Sequence, residues 1–99
     1  MTIRHIVAWK LAAADADQRA VDVAGITTRL LALEGVVPSI RAISAGADVL
    51  GGENWDVAIV ADFDDVEGLR EYIDHPAHQE VVTYVRSVVS SRVAVDFEL

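Results

Sequence analysis

The chain has 99 residues, of which 53% are hydrophobic and 24% charged, and a net charge of −8. That balance belongs to a globular domain. It contains no cysteine, which excludes disulfides, thiolate metal sites and a cysteine nucleophile. Its few Lys and Arg residues are scattered singly, which argues against nucleic acid as a partner. No apolar run approaches the ~20 residues of a membrane span.

One domain, residues 1–99, is expected, burying roughly 65% of its unfolded surface. The apolar share is high for so small a body, so part of its surface is expected to meet another subunit. The opening "MTIRHIVAWK" sets Arg4, His5 and Lys10 inside a short apolar stretch, the wrong shape for a signal peptide. The expected compartment is the cytoplasm.

Residues 3–11 alternate: Ile3, His5, Val7, Trp9 and Leu11 fall on one face, Arg4, Ile6, Ala8 and Lys10 on the other. This predicts a first strand. A helix follows, capped by Asp15 or Asp17, with Val23, Ile26, Leu30 and Leu33 at helical spacing. Gly25 weakens it by up to ~1 kcal/mol relative to Ala. Gly35 stands where a C-terminal glycine belongs, and Pro38 prevents continuation.

Residues 39–48 predict a short second strand, and the Gly51-Gly52 pair is the strongest breaker in the chain. Residues 55–63 alternate cleanly as a third strand. Asp64 or Asp65 caps a short helix, "VEGLREYIDH", and Pro76 suits the first turn of another, "PAHQEVVTYVRSVV". "RVAVDFEL" closes the chain as a fourth strand, with Val93, Val95, Phe97 and Leu99 on one face.

The order β-α-β-β-α-β predicts an α+β, ferredoxin-like domain with a four-stranded antiparallel sheet. Both helical segments would cover one face of that sheet. The bare face carries Ile6, Ala8 and an alternating apolar set on the last strand, which predicts a homodimer with sheets face to face.

The sequence resembles the stress-responsive dimeric α/β-barrel (Dabb) proteins over essentially its whole length. The resemblance rests on "IRHIVAWKL", "GVVPSIRAISAG", "WDVAIVADFDDVEGLREYIDHPAHQEVV" and the closing "RVAVDFEL". An H-P-x-H element between an aspartate-capped helix and a D-[FY] terminal strand is specific in that order. The family implies a dimeric α/β barrel and a cavity in each subunit between sheet and helices. His5, Val7, Trp9, Ile59, Ile73 and His75 are the expected substrate-binding residues. In the plant polyketide cyclases of the family, a histidine and a tyrosine promote an aldol condensation without metal or cofactor. Matched by motif, these are His78 and Tyr72, with a first-strand histidine at His5 and an acidic partner at Asp96.

Those assignments are chemically coherent. His78 lies in the first turn of a helix, where the positive end disfavours imidazolium, and a neutral imidazole can act as a general base. Asp96 would hold its other ring nitrogen, and Tyr72 would donate to a carbonyl oxygen gaining enolate charge. The bland reading is that His78 is a half-buried structural histidine, His5 a satisfied core histidine, and Tyr72 a helix aromatic with its hydroxyl in water. His75 also suits the cap before Pro76.

Two features depart from the cyclases. Residues 12–37 contain no aromatic, and Trp9 sets an indole where a smaller residue would leave room. The cavity is therefore expected to be narrower or filled. No metal is expected, because Pro76 spoils the ligand spacing of H-x-x-H, and no cofactor is expected either. Two functions remain open: a cofactor-free lyase or cyclase acting on a small apolar or carbonyl-bearing ligand, and a non-catalytic stress-associated or ligand-binding dimer. A cofactor-free monooxygenase is a weaker third.

Overall fold

A computed structural model describes residues 1–99. The elements are β1 (Ile3–Leu11), α1 (Ala16–Leu31), β2 (Ala42–Ala47), β3 (Val57–Phe63), α2 (Val66–Asp74), α3 (Pro76–Val88) and β4 (Val89–Glu98). The four strands form one antiparallel sheet in the order β2-β3-β1-β4, the ferredoxin-like arrangement. β1 and β3 are central, and strict alternation buries one face of each while the other is only partly covered. Their inward residues, Ile3, Val7, Trp9 and Leu11 with Val57, Ile59, Ala61 and Phe63, meet Ile26 and Leu30 of α1, Leu69 and Tyr72 of α2, and Val81 and Val85 of α3.

The outward face has no helix over it. Register pairs Ile6 with Val60 and Val95, and Ala8 with Ala58 and Val93, so these apolar residues form one patch. Val93, Val95 and Phe97 are 46%, 56% and 40% exposed. Arg4 and Asp62 also pair on this side, Nε to Oδ1 at 2.9 Å.

Capping resolves both open choices. Asp15 caps α1 by accepting from the Gln18 amide at 2.9 Å, and Asp65 caps α2 by accepting from Gly68 at 2.7 Å. α1 stops at Leu31, four residues short of Gly35. Leu33 and Val37 are both buried, and burying them takes the chain off the helix axis through a tight turn in which Gly35 has φ +85°. β2 begins at Ala42 and not at Ser39, because Ser39 and Ile40 tuck under the helices first. β4 begins earlier than expected, at Val89, aided by a register shift between Lys10 and Leu11.

One contact ties α1 to the sheet and another ties it to α3. Asp56 accepts from the Leu11 amide at 2.8 Å and from Arg19 Nη2 at 2.7 Å, joining the end of β1 to the start of α1. Where α1 passes α3, Gly25 lies against Tyr84, whose ring stacks on the Arg29 guanidinium at 3.6 Å. Gly25 therefore has a packing role beyond its cost in helix propensity.

Candidate functional site

Pro76 organises the site. It cannot continue α2, so the chain turns at His75, which ends α2 and begins α3 with extended backbone (φ −63°, ψ 133°). The Nδ1 of His75 accepts from the Ala77 amide at 3.1 Å. In an uninterrupted helix that amide would bond the Ile73 carbonyl. The carbonyl instead accepts from His78 Nδ1 at 3.1 Å and from Gln79 Nε2 at 2.6 Å.

A carbonyl oxygen only accepts, so His78 Nδ1 carries the proton and Nε2 keeps its lone pair in the neutral ring. Burial pushes the His78 pKa below the ordinary histidine value. The charges of His5, Arg92 and His75 push the same way, and the Ile73 bond opposes them. The ring is neutral at pH 7. Its centroid lies 4.2 Å from that of Tyr72.

Tyr72 lies on α2 with 1% of its surface exposed, packed against Phe63 at 5.1 Å between centroids and edge-on to His5 at 5.9 Å. Burial pushes its phenol up to about 12, against a small lowering by Arg92. It stays protonated, so the hydroxyl keeps a proton it can donate. Its hydroxyl makes no hydrogen bond within the chain and is not sealed from solvent, so it is open to a ligand. Tyr72 is thus a wall of the cavity, and not a helix aromatic with its hydroxyl in bulk water.

His5, on β1, is buried and bonded through Nδ1 to Asp96 Oδ1. The register explains this pairing. His5 and Asp96 are directly opposite on β1 and β4, so both side chains leave the sheet on the helix side. The expected bond from His78 to Asp96 is not formed: Asp96 is taken by its cross-strand neighbour, and the local Ile73 carbonyl takes His78.

Sheet and helices enclose an open cavity of about 490 Å³. His5, Val7, Trp9, Ile59, Tyr72, Ile73 and His78 all line it. Asp96 and His75 do not; Asp96 stands behind His5, and His75 is occupied as a helix cap. Trp9 forms part of the wall without filling the space, so of the two alternatives, narrower or filled, the second does not hold. Sequence reasoning passed over Gln79, Arg86 and Arg92, which also line the cavity. For Arg92 the signal was present: it alternates with Ala94 and Asp96, opposite the apolar set Val93, Val95 and Phe97. No group of three or more His, Cys, Asp or Glu residues is placed to hold a metal ion. No helix is long and apolar enough to cross a membrane.

The sheet order and the cavity between sheet and helices define a ferredoxin-like α+β domain of the dimeric-barrel class. The chain belongs to the stress-responsive A/B barrel domain (Dabb) family, whose model matches residues 3–99. It is similar to a dimeric protein of unknown function and ferredoxin-like fold from Bacteroides fragilis, with 27% identity over 99% of this chain and 96% of that one and a TM-score of 0.92. A dimeric ferredoxin-like protein of unknown function from Thermobifida fusca shares 33% identity over 100% of this chain and 92% of its own, with a TM-score of 0.84. The hydroxynitrile lyase of Passiflora edulis has the same fold, at 17% identity over 97% and 91% of the two chains and a TM-score of 0.79. No curated protein matches the chain by sequence.

Proposed function

We propose that the protein is a homodimer that catalyses proton transfer next to a carbonyl group without a cofactor, as a lyase or cyclase does. The observation that carries this reading is the Ile73 carbonyl on His78 Nδ1, which leaves Nε2 as a neutral acceptor beside the Tyr72 phenol in an open cavity. His78 Nε2 takes a proton from the carbon adjacent to the carbonyl. The electron pair of that C–H bond forms the enolate C=C bond as the carbonyl π pair moves onto oxygen, and Tyr72 donates a hydrogen bond to that oxygen as its charge develops. A phenol raised to about 12 keeps its proton and stabilises the oxygen by hydrogen bonding. Asp96 fixes the tautomer and orientation of His5, so that His5 presents Nε2 to the same cavity as a second polar contact. A lyase built on this fold agrees with the reading at the level of reaction class.

Dimerisation is supported by the uncovered apolar face around Val93, Val95 and Phe97, and by the dimeric state of the similar Bacteroides and Thermobifida proteins.

The test is deuterium exchange at the α-carbon of small ketones such as cyclohexanone, followed by NMR in D2O. The protein should exceed free imidazole at equal concentration. His78→Ala and Tyr72→Phe should each lower the rate by about 100-fold, the lower end of general acid–base effects and of the loss of one oxyanion donor. Exchange that is absent, or unchanged in His78→Ala, refutes the assignment.

A further inference from the structure

The chain carries 16 acidic and 8 basic residues, yet no Asp or Glu lines the cavity, while Arg86 and Arg92 do. Neither arginine joins any of the ion pairs, which are Arg4–Asp62, Arg19–Asp56, Arg41–Asp64 and His5–Asp96. Neither is engaged in a side-chain hydrogen bond, whereas Arg4, Arg19, Arg29 and Arg41 all are. Arg86 has an ordinary reason for its place, since it stands in the last turn of α3, where a cation offsets the helix dipole. Arg92 has none. It lies opposite Trp9 in the β1–β4 ladder, so its side chain leaves on the helix side and not on the bare face. Its charge is felt at both Tyr72 and His78.

A positive group in an acidic protein, exposed to solvent where it lines a mainly apolar cavity and without a carboxylate partner, is complementary to an anion with an apolar body. Arginine's planar fork matches a carboxylate, and neither a glycine-rich loop nor a third cation is present for a polyphosphate.

We propose that the cavity binds a small carboxylate with an apolar body, its carboxylate held by Arg92, with Arg86 lending charge. The position of its carbonyl, toward His78 and Tyr72, rests on the proton-transfer reading; the carboxylate contact does not.

The experiment compares octanoate with octanamide, equal in chain length and different in charge. Binding is read from Trp9 fluorescence in a Trp55→Phe background, which leaves one indole. Octanoate should bind at least about tenfold more tightly than octanamide at low salt, an advantage that shrinks as salt rises. Arg92→Gln, which keeps the aliphatic stem, should reduce that preference to within about twofold while octanamide affinity holds. His78→Ala should retain the preference, which separates anion recognition from base chemistry. Equal affinity for the two probes in the parent protein overturns the proposal, and so does binding of neither. A preference that survives in the Arg86→Gln/Arg92→Gln double variant overturns it as well. Exchange on neutral ketones would then still stand as the separate measure of His78.

Discussion

Replacing Gly25 by alanine should have opposite effects on stability depending on what stands at position 84. An ideal Cβ at Gly25 would lie 1.9 Å from Tyr84 Oη, 2.7 Å from its Cζ and 3.1 Å from Arg29 Nη1. Tenths of an ångström cannot absorb such an overlap, so the ring of Tyr84 must leave. It then loses its packing on α1, about 1–2 kcal/mol for a half-buried aromatic, and its stacking on Arg29, about 0.5–1 kcal/mol. Alanine returns up to about 1 kcal/mol in helix propensity. The net expectation is a loss of about 1 kcal/mol, or 4–8 °C in Tm for a domain of roughly this size. In a Tyr84→Ala background the obstacle is gone, and the same substitution should stabilise by up to about 1 kcal/mol. The double-mutant cycle therefore predicts a coupling of about 2 kcal/mol. Urea denaturation followed by circular dichroism, at one fixed protein concentration, measures all four variants. If Gly25→Ala stabilises the parent protein as much as the Tyr84→Ala variant, the close approach of α1 and α3 plays no part in stability.

Two further outcomes follow from the site and the sheet. Because the folded pKa of His78 lies below its unfolded value, the unfolded chain binds more protons in the window between them. Stability should therefore fall as pH drops from 7 through the folded pKa, and His78→Gln should flatten that slope in denaturation curves; an unchanged slope would contradict the shift. Val95→Glu sets a charge in the middle of the uncovered face and should shift the protein to monomer in sedimentation equilibrium, with the cavity intact. A dimer that persists at micromolar concentration would show that this face is not the contact.

Periodicity was a sound guide to the strands, since alternation reports directly which side of a sheet is wet: it placed residues 3–11 in β1 and overran β3 only at Trp55 and Asp56, which precede the strand at Val57. It was a weaker guide to ends. Leu33 fits the helical spacing of α1, but the burial of Leu33 and Val37 turned the chain aside before the glycine expected to cap it. Local chemistry likewise identified His75 as a cap but could not say which acceptor His78 would find. That depends on which carbonyl the broken helix leaves free and on a cross-strand register, and both are tertiary facts. Arg92 was readable from alternation alone, since it shares its face with Ala94 and Asp96 and not with Val93, Val95 and Phe97.

The acceptor that orients His78 belongs to the main chain. A side-chain carboxylate in that position would be lost by a single substitution, and the imidazole would then be free to change tautomer or rotate. The Ile73 carbonyl persists whatever residue occupies position 73, provided the break at Pro76 keeps it unclaimed by the helix. The apolar and polar residues around the cavity can thus change while the proton stays on the same nitrogen. In such a design, the shape of the cavity and the tautomer of the imidazole are set by separate parts of the molecule and can change independently.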